Sequence, residues 1–120
     1  MPTALWPSSL DDSGMIRLHG LDLRYAALLV LGVGDQPLCL DEIVADIEAL
    51  GFLTATSPNP AMGPTKPLAD ALRWEIRRGR VRRVARGMYA AGPIDRSTRY
   101  RARVRLAHLT GRSRDLTPGG

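Results

Sequence analysis

The strongest constraint on the fold is a helical pattern that changes to a strand pattern within residues 65–90. Three large aliphatic side chains recur at helical spacing: Leu68, Leu72 and Ile76. This stripe predicts an amphipathic helix that begins at Thr65 or Lys66 and ends at Gly79. Two short β-prone runs, 81–85 and 88–90, follow at once, and the Arg-Gly pair between them has the length of a hairpin connection. The sequence therefore predicts a helix that leads directly into a β-hairpin.

Two further helices are predicted ahead of this segment. Apolar residues on almost every face predict a buried helix from Asp22, as its cap, to Val33. A second helix, capped by Asp41, is predicted to end at about Leu50. The apolar residues 38–40 between the two helices are sufficient for a minimal strand, whereas residues 54–64 carry three prolines and predict a loop.

Residues 96–109 fit two patterns. Arginines alternate with apolar residues from Arg99 to Leu106, which is the period of a strand. Arg, Ala and Leu are nevertheless strong helix formers, and Asp95 or Ser97 offers an N-cap. We predict a helix.

These elements indicate an α+β, mainly helical fold of one domain over residues 22–109. The order helix, short strand, helix, helix, hairpin is that of a winged helix-turn-helix. In that fold three helices close a small core, and a two- to three-stranded sheet carries the wing; here an extra C-terminal helix follows from about residue 96. Residues 1–21 are predicted to be a flexible arm, although 15–19 can add a short strand, and 110–120 are predicted to be a flexible tail.

Charge is distributed very unevenly along the chain. The 17 basic and 12 acidic residues give a net charge of +5, and all but one of the basic residues are arginine. Residues 1–64 contain two basic and eight acidic residues, a net charge of −6, whereas residues 65–120 contain fifteen basic and four acidic residues, a net charge of +11. Such an asymmetry indicates an anionic partner for the C-terminal half, most often nucleic acid.

The third helix is predicted to present a cationic face. Four side chains fall opposite its apolar stripe: Lys66, Asp70, Arg73 and Arg77. An exposed cationic helix suits the major groove of DNA, where arginine bonds bidentately to guanine. Asp70 either accepts from a cytosine amino group or pairs with Arg73 or Arg77 along the helix, and the ion pair is the favoured interpretation. Trp74 lies on the flank as a packing residue or a base-stacking platform. Glu75, on the buried side, is expected to pair with an arginine or to cap backbone groups.

The hairpin is predicted to be cationic as well. Four arginines lie on it or beside it: Arg80, Arg82, Arg83 and Arg86. A hairpin of this length with arginine at its tip can reach phosphates or a minor groove. Val84 and Tyr89 are expected to point inward and hold the hairpin against the helices.

The segment from Thr65 to Leu109 resembles a widespread group of winged helix-turn-helix domains whose wing reads roughly G-x-V-x-R-V-x-R-G-x-Y. The matching residues are Arg78-Gly79, Val81, Arg83-Val84, Arg86-Gly87 and Tyr89. The pattern is similar to HARE-type helix-turn-helix domains, to the N-terminal winged helix of bacterial antitoxins that repress their own operons, and to small actinobacterial proteins of this kind. The resemblance implies that the third helix reads the groove while Arg82, Arg83 and Arg86 contact backbone or minor groove.

Patterns of catalysis and of cofactor binding are absent from the sequence. It contains no GxSxG, P-loop, HExxH or CxxC motif, so we expect no enzyme activity and no cofactor. The single cysteine, Cys39, excludes an internal disulfide, and with His19 and His108 it makes no zinc ligand set. The longest apolar stretch, nine residues from Tyr25 to Val33, is too short to span a membrane. No small-molecule ligand is evident.

The sequence thus predicts a bacterial, cytoplasmic protein that binds double-stranded DNA in the nucleoid as a transcriptional regulator or nucleoid-associated factor. A homodimer is expected, because one small domain buries little surface on DNA. The last helix supplies the dimer contact or a further DNA contact through Arg99, Tyr100, Arg103, Val104 and Ala107. The alternative is a protein-interaction module that docks on RNA polymerase or another regulator, or that associates with itself head to tail.

Overall fold

The computed structural model describes residues 9–10, 15–34, 36–56, 61, 63 and 65–113. The described residues form an α+β fold with four helices and six short strands. The helices are α1 (Gly20–Val33), α2 (Leu40–Ala49), α3 (Lys66–Arg77) and α4 (Arg96–Ser113). The strands are β1 (Ser9–Leu10), β2 (Ile16–Leu18), β3 (Leu38–Cys39), β4 (Phe52–Thr54), β5 (Val81–Ala85) and β6 (Met88–Ala91).

The predicted hairpin is present and belongs to an antiparallel sheet with strand order β3-β6-β5. Arg86 and Gly87 connect its strands, and Gly87 has a φ of 72°, a conformation that favours glycine. The pairing shifts register between Arg83 and Ala85, so Val84 is the extra residue of a bulge. The prediction that Val84 points inward is wrong: Val81 is the buried residue of β5, and Val84, three positions later, is 43% exposed. Tyr89 does pack against the core.

A second sheet joins β1, β2 and β4 in that order. β2 pairs parallel with β4, so that Ile16 faces Phe52 and Leu18 faces Thr54. The short strand predicted within residues 15–19 is therefore present. The flexible arm predicted for residues 1–21 is wrong for residues 16–18, because they form this strand and Leu18 is fully buried. Residues 1–8 and 11–14 lie outside the described part of the chain.

α1 is the central helix, as its apolar sequence predicts, and it packs against α2, α3 and α4. The core is formed by aliphatic side chains from all four helices: Leu23, Leu28, Leu31, Ile43, Ile47, Leu68, Leu72, Leu106 and Leu109. Burying them removes apolar surface from water at about 25 cal/mol per Å², the main force that holds small domains together. No helix among the described residues is both long and apolar enough to cross a membrane.

Two predicted caps are corrected. Asp22 lies inside α1, which begins at Gly20, and its buried carboxylate binds Arg105 of α4. α2 begins at Leu40 rather than after Asp41, because the Glu42 carboxylate reaches back to accept a hydrogen bond from the Cys39 backbone N–H at 2.9 Å.

The helix predicted for residues 96–109 is confirmed as α4, and Asp95 is its cap. The Asp95 carboxylate accepts a hydrogen bond from the Thr98 N–H at 3.2 Å. The helix continues to Ser113, so the first residues of the predicted 110–120 tail are helical. Residues 114–120 lie outside the described part of the chain.

Candidate nucleic-acid interface

α3 presents its apolar stripe to the core and its charged side chains to solvent, as its sequence predicts. Pro67 lies in the first turn, where a backbone N–H has no acceptor within the helix, so the missing N–H of proline costs no hydrogen bond. Thr65 occupies the N-cap position, but its side chain makes no capping hydrogen bond. Leu68 and Leu72 are fully buried, which fixes the rotation of the helix and turns its opposite face outward.

The first two turns of α3 carry a compact charge network around Asp70. The Lys66 ammonium donates to both oxygens of the Asp70 carboxylate at 2.8 Å, and Arg73 donates to one of them at 3.2 Å. The hydrogen bond from Lys66 lowers the pKa of Asp70. The predicted ion pair of Asp70 with Arg73 is present, the alternative pair with Arg77 is not, and Lys66 is a partner that was not predicted. The three side chains together retain a net charge of +1.

The end of α3 carries a second group of charges, gathered around Trp74. The guanidinium carbons of Arg24, Arg77 and Arg78 lie 5.0, 5.6 and 5.4 Å from the centroid of the indole ring, within the range of cation–π attraction. Trp74 itself remains 40% exposed. We call Trp74 and these three arginines the Trp74 cluster. Unlike Arg73, neither Arg77 nor Arg78 has a carboxylate partner among the described residues.

Glu75 anchors this end of α3 to the start of the hairpin. Its side chain is fully buried and binds Arg80 in a two-pronged pair, with Nε–Oε1 at 2.6 Å and Nη2–Oε2 at 3.2 Å. The Nε of Arg24 lies 3.3 Å from the second carboxylate oxygen. The hydrogen bond from Arg80 to Glu75 raises the pKa of Arg80. The pairing predicted for Glu75 is therefore confirmed, and it holds Arg80, predicted as a DNA contact, at the junction between helix and hairpin.

Backbone contacts at the same junction fix the direction in which the hairpin leaves the helix. Gly79 ends α3 with a φ of 79°, in the left-handed region. The N–H of Arg80 donates to the Glu75 carbonyl at 3.0 Å, and the N–H of Gly92 donates to the Arg80 carbonyl at 2.8 Å. A side chain at Gly92 would place its Cβ 2.6 Å from the Gly79 carbonyl oxygen, so the two segments approach as closely as glycine allows.

The remaining arginines of the hairpin are exposed. Val81 is buried and holds β5 to the core, while Arg82, Arg83 and Arg86 extend into solvent. Within the described part of the chain, none of these three has a carboxylate within ion-pair distance. Like charges on one short hairpin repel one another, and a polyanion would relieve that repulsion.

The residues predicted as a dimer or DNA contact on α4 do not share one face. Tyr100 and Val104, 64% and 47% exposed, border a cleft of about 500 Å³ beside Leu21 of α1. Arg99 and Arg103 instead line a larger cleft of about 740 Å³ at the ends of α1 and α2. Ala107 is exposed as well.

No protein-family model, curated protein or solved structure matches the chain. Among the described residues, no three His, Cys, Asp or Glu side chains come together as metal ligands would. The site is therefore characterised by its own geometry, as a cationic surface on α3 and the hairpin.

The DNA contacts predicted from the sequence leave out two arginines of this surface, Arg24 and Arg78. The helical pattern does place Arg78 on the same flank of α3 as Trp74, four residues before it, but without a role in binding. Arg24 was not, because it lies on another helix, and only the packing of α1 against α3 brings it to the indole.

Proposed function

We propose that the chain is a DNA-binding protein, acting as a transcriptional regulator or nucleoid-associated factor in the cytoplasm. The observation that carries the proposal is the cationic surface formed by the outer face of α3 and the hairpin. Its arginines project outward from two elements that Glu75 and Arg80 hold together. A rigid surface of this charge suits the phosphate backbone, which dominates the affinity of proteins for DNA.

The proposed fold is a winged helix. The supporting features are the element order α1, β3, α2, α3, β5, β6 and the strand order β3-β6-β5, which places the hairpin at the edge of the small sheet. In such a fold α3 would lie in the major groove and the hairpin would be the wing.

The proposal assigns different roles to the two elements. Arg73, which is exposed and binds Asp70 through one guanidinium nitrogen, is the candidate for base contact on α3, while Arg77 lies against Trp74 beside it. Thr65 and Lys66 would lie at the start of the helix near the backbone. Arg82, Arg83 and Arg86 would contact phosphates or the minor groove, while Arg80 positions the hairpin.

The experiment is fluorescence anisotropy of a labelled mixed-sequence duplex between 50 and 200 mM salt. With about five phosphate contacts, the affinity should fall roughly 500-fold over that range, because each contact releases a counterion. The double variant Arg82→Gln/Arg83→Gln should reduce the slope of log affinity against log salt by about 2.

The matched control is Arg96→Gln/Arg101→Gln, which removes the same charge from α4. It should keep the slope of the wild type. Equal losses from both double variants would mean that total charge alone drives binding. No binding at 50 mM salt would refute the DNA proposal.

A homodimer on a two-fold site is part of the proposal, since a single small domain buries limited surface on DNA. The support for a dimer contact is the exposure of Tyr100 and Val104 beside Leu21, three apolar side chains next to one cleft. Sedimentation equilibrium of the wild type and of Val104→Asp tests it, and a wild-type monomer at all concentrations would refute it.

One observation favours a second function, head-to-tail self-association. α2 exposes four carboxylates, and it lies in the half of the chain with a net charge of −6: Asp41, Glu42, Asp46 and Glu48. In that arrangement α2 of one copy would contact the hairpin of the next. Concentration-dependent assembly at 50 mM salt that Asp46→Lys abolishes, without any duplex binding, would support this function over the first.

A further inference from the structure

The Trp74 cluster brings three cations from two helices to a single aromatic ring. Arg77 and Arg78 come from the end of α3, and Arg24 comes from α1. All three guanidinium carbons lie within 5.6 Å of the ring centroid. The indole is 40% exposed, so the cluster opens to solvent at the flank of α3.

The charge of this cluster is not balanced within the described residues. Glu75, the nearest carboxylate, is fully buried, and it binds Arg80 with both oxygens. It also faces the Nε of Arg24, which lies 3.3 Å away. The terminal nitrogens of Arg24 and the whole guanidinium groups of Arg77 and Arg78 have no hydrogen-bond acceptor in the part of the chain that the structure describes. Three guanidinium groups with N–H donors that lack an acceptor among the described residues thus surround one partly exposed ring.

We propose that Arg24, Arg77 and Arg78 bind one phosphodiester of the DNA backbone, with Trp74 as the platform that orients them. This inference rests on the proposed function and extends the DNA contact from α3 to α1. Guanidinium groups bind phosphate through paired, charge-assisted N–H···O bonds, which a phosphodiester accepts through its two free oxygens. The ring reduces the freedom of three long side chains before the phosphate arrives, so less conformational entropy is lost on binding.

The same geometry argues against base stacking on Trp74. Three guanidinium groups already lie over the ring, so a base would have to displace at least one of them. A phosphate requires no such displacement, since it binds the outward N–H edges of the same groups.

The experiment uses the full chain in a Trp6→Phe background, in which Trp74 is the sole tryptophan. A 16-base-pair duplex of mixed sequence is added while Trp74 emission is recorded, and the affinity is measured from 50 to 200 mM salt. Binding should change the Trp74 emission, because a phosphate against the guanidinium groups alters the charge around the indole.

Arg78→Gln is the principal variant, because its side chain is exposed and makes no ion pair with the described residues. It should reduce the slope of log affinity against log salt by about 1 and weaken binding several-fold for every duplex sequence. Arg24→Gln should do the same if its melting curve shows that it remains folded. Arg96→Gln, on the exposed start of α4, is the control and should keep the slope of the wild type.

Two results overturn the proposal in different ways. If Arg78→Gln keeps the wild-type slope and Trp74 emission does not respond, while Arg83→Gln lowers the slope, the cluster is a packing feature and the DNA proposal stands. If the wild type binds no duplex at 50 mM salt, the phosphate site and the proposed function both fail.

Discussion

α3 carries two groups of charged side chains, one around Asp70 and one after Arg73, and their carboxylates lie in different environments. In the first group, Lys66 and Arg73 share the exposed Asp70 carboxylate, so one of the two positive charges is neutralised on the surface. In the second group, the Glu75 carboxylate is buried beneath the helix, where it binds Arg80. Arg77 and Arg78 therefore remain without a carboxylate in the described chain. The position of a single carboxylate, outside or inside, decides whether a cationic helix face is available to an anionic partner.

Removing the charge of the inner carboxylate should have the largest effect. Glu75→Gln leaves Arg80 and Arg24 facing a neutral amide in a buried site, which should reduce the free energy of unfolding by about 3 kcal/mol. Urea denaturation measures the loss. Glu48→Gln, an exposed position on α2, is the control and should change stability by less than about 0.5 kcal/mol. A similar stability for both variants would contradict the anchoring role of Glu75.

Disturbing the backbone at the same junction should have the next largest effect. In Gly92→Ala, the new Cβ would lie 2.6 Å from the Gly79 carbonyl oxygen and 3.2 Å from the Arg80 carbonyl carbon, so the hairpin must move away from α3. We expect a loss of about 1–3 kcal/mol in thermal or urea unfolding. Gly34→Ala is the matched control, because the nearest atom to its Cβ is 3.9 Å away. Equal melting temperatures for the two variants would show that the hairpin can move away from α3 without any loss of stability.

Removing the outer carboxylate should change binding more than folding. Asp70→Asn releases Lys66 and Arg73, so the first group on α3 should come to resemble the second. We expect several-fold tighter binding of mixed-sequence duplex at 50 mM salt, and a salt slope steeper by about 1. If the variant instead lost a preference among duplex sequences, Asp70 would be reading a base, as its alternative interpretation holds.

Protonating Asp70 at low pH should have the same consequence for stability as Asp70→Asn, and this is the smallest of the four expected effects. The bond from Lys66 lowers the pKa of Asp70 in the folded state, so its stabilisation is present above the unfolded value near 4 and is lost as pH falls through the folded value. The wild type should therefore melt about 2 °C above Asp70→Asn at pH 7, and the difference should vanish near pH 2. A difference that stays constant with pH would contradict the pairing.

Local patterns in the sequence were sufficient for α3 and its hairpin. The spacing of Leu68 and Leu72 sets the buried face of the helix, and the Arg86-Gly87 pair suits a turn that requires positive φ. The pairing of Glu75 was predictable too, because a carboxylate on the buried face must be compensated.

Contacts between distant residues were not predictable. The Asp22 carboxylate meets Arg105 across 83 residues, and Arg24 meets Trp74 only because α1 packs on α3. Val84 was expected to point inward, but Val81 is the buried residue of β5, and side chains three positions apart in a strand lie on opposite faces. The residue types are thus sufficient to predict that the surface is cationic. Which of its arginines already pair with a carboxylate depends on tertiary packing.

The parallel pairing of β2 with β4 has a consequence for the order in which the chain folds. Residues 16–18 find their parallel partners at 52–54, and α1 and α2 lie between them in the chain, whereas β5 and β6 are joined by a two-residue turn. Closing the longer loop loses more chain entropy, so we infer that this sheet completes after the hairpin in refolding. On the ribosome, Leu18 must stay without its strand partner until Thr54 has left the exit tunnel. β2 is thus synthesised before α1 and α2, but its pairing with β4 is completed only after both of them.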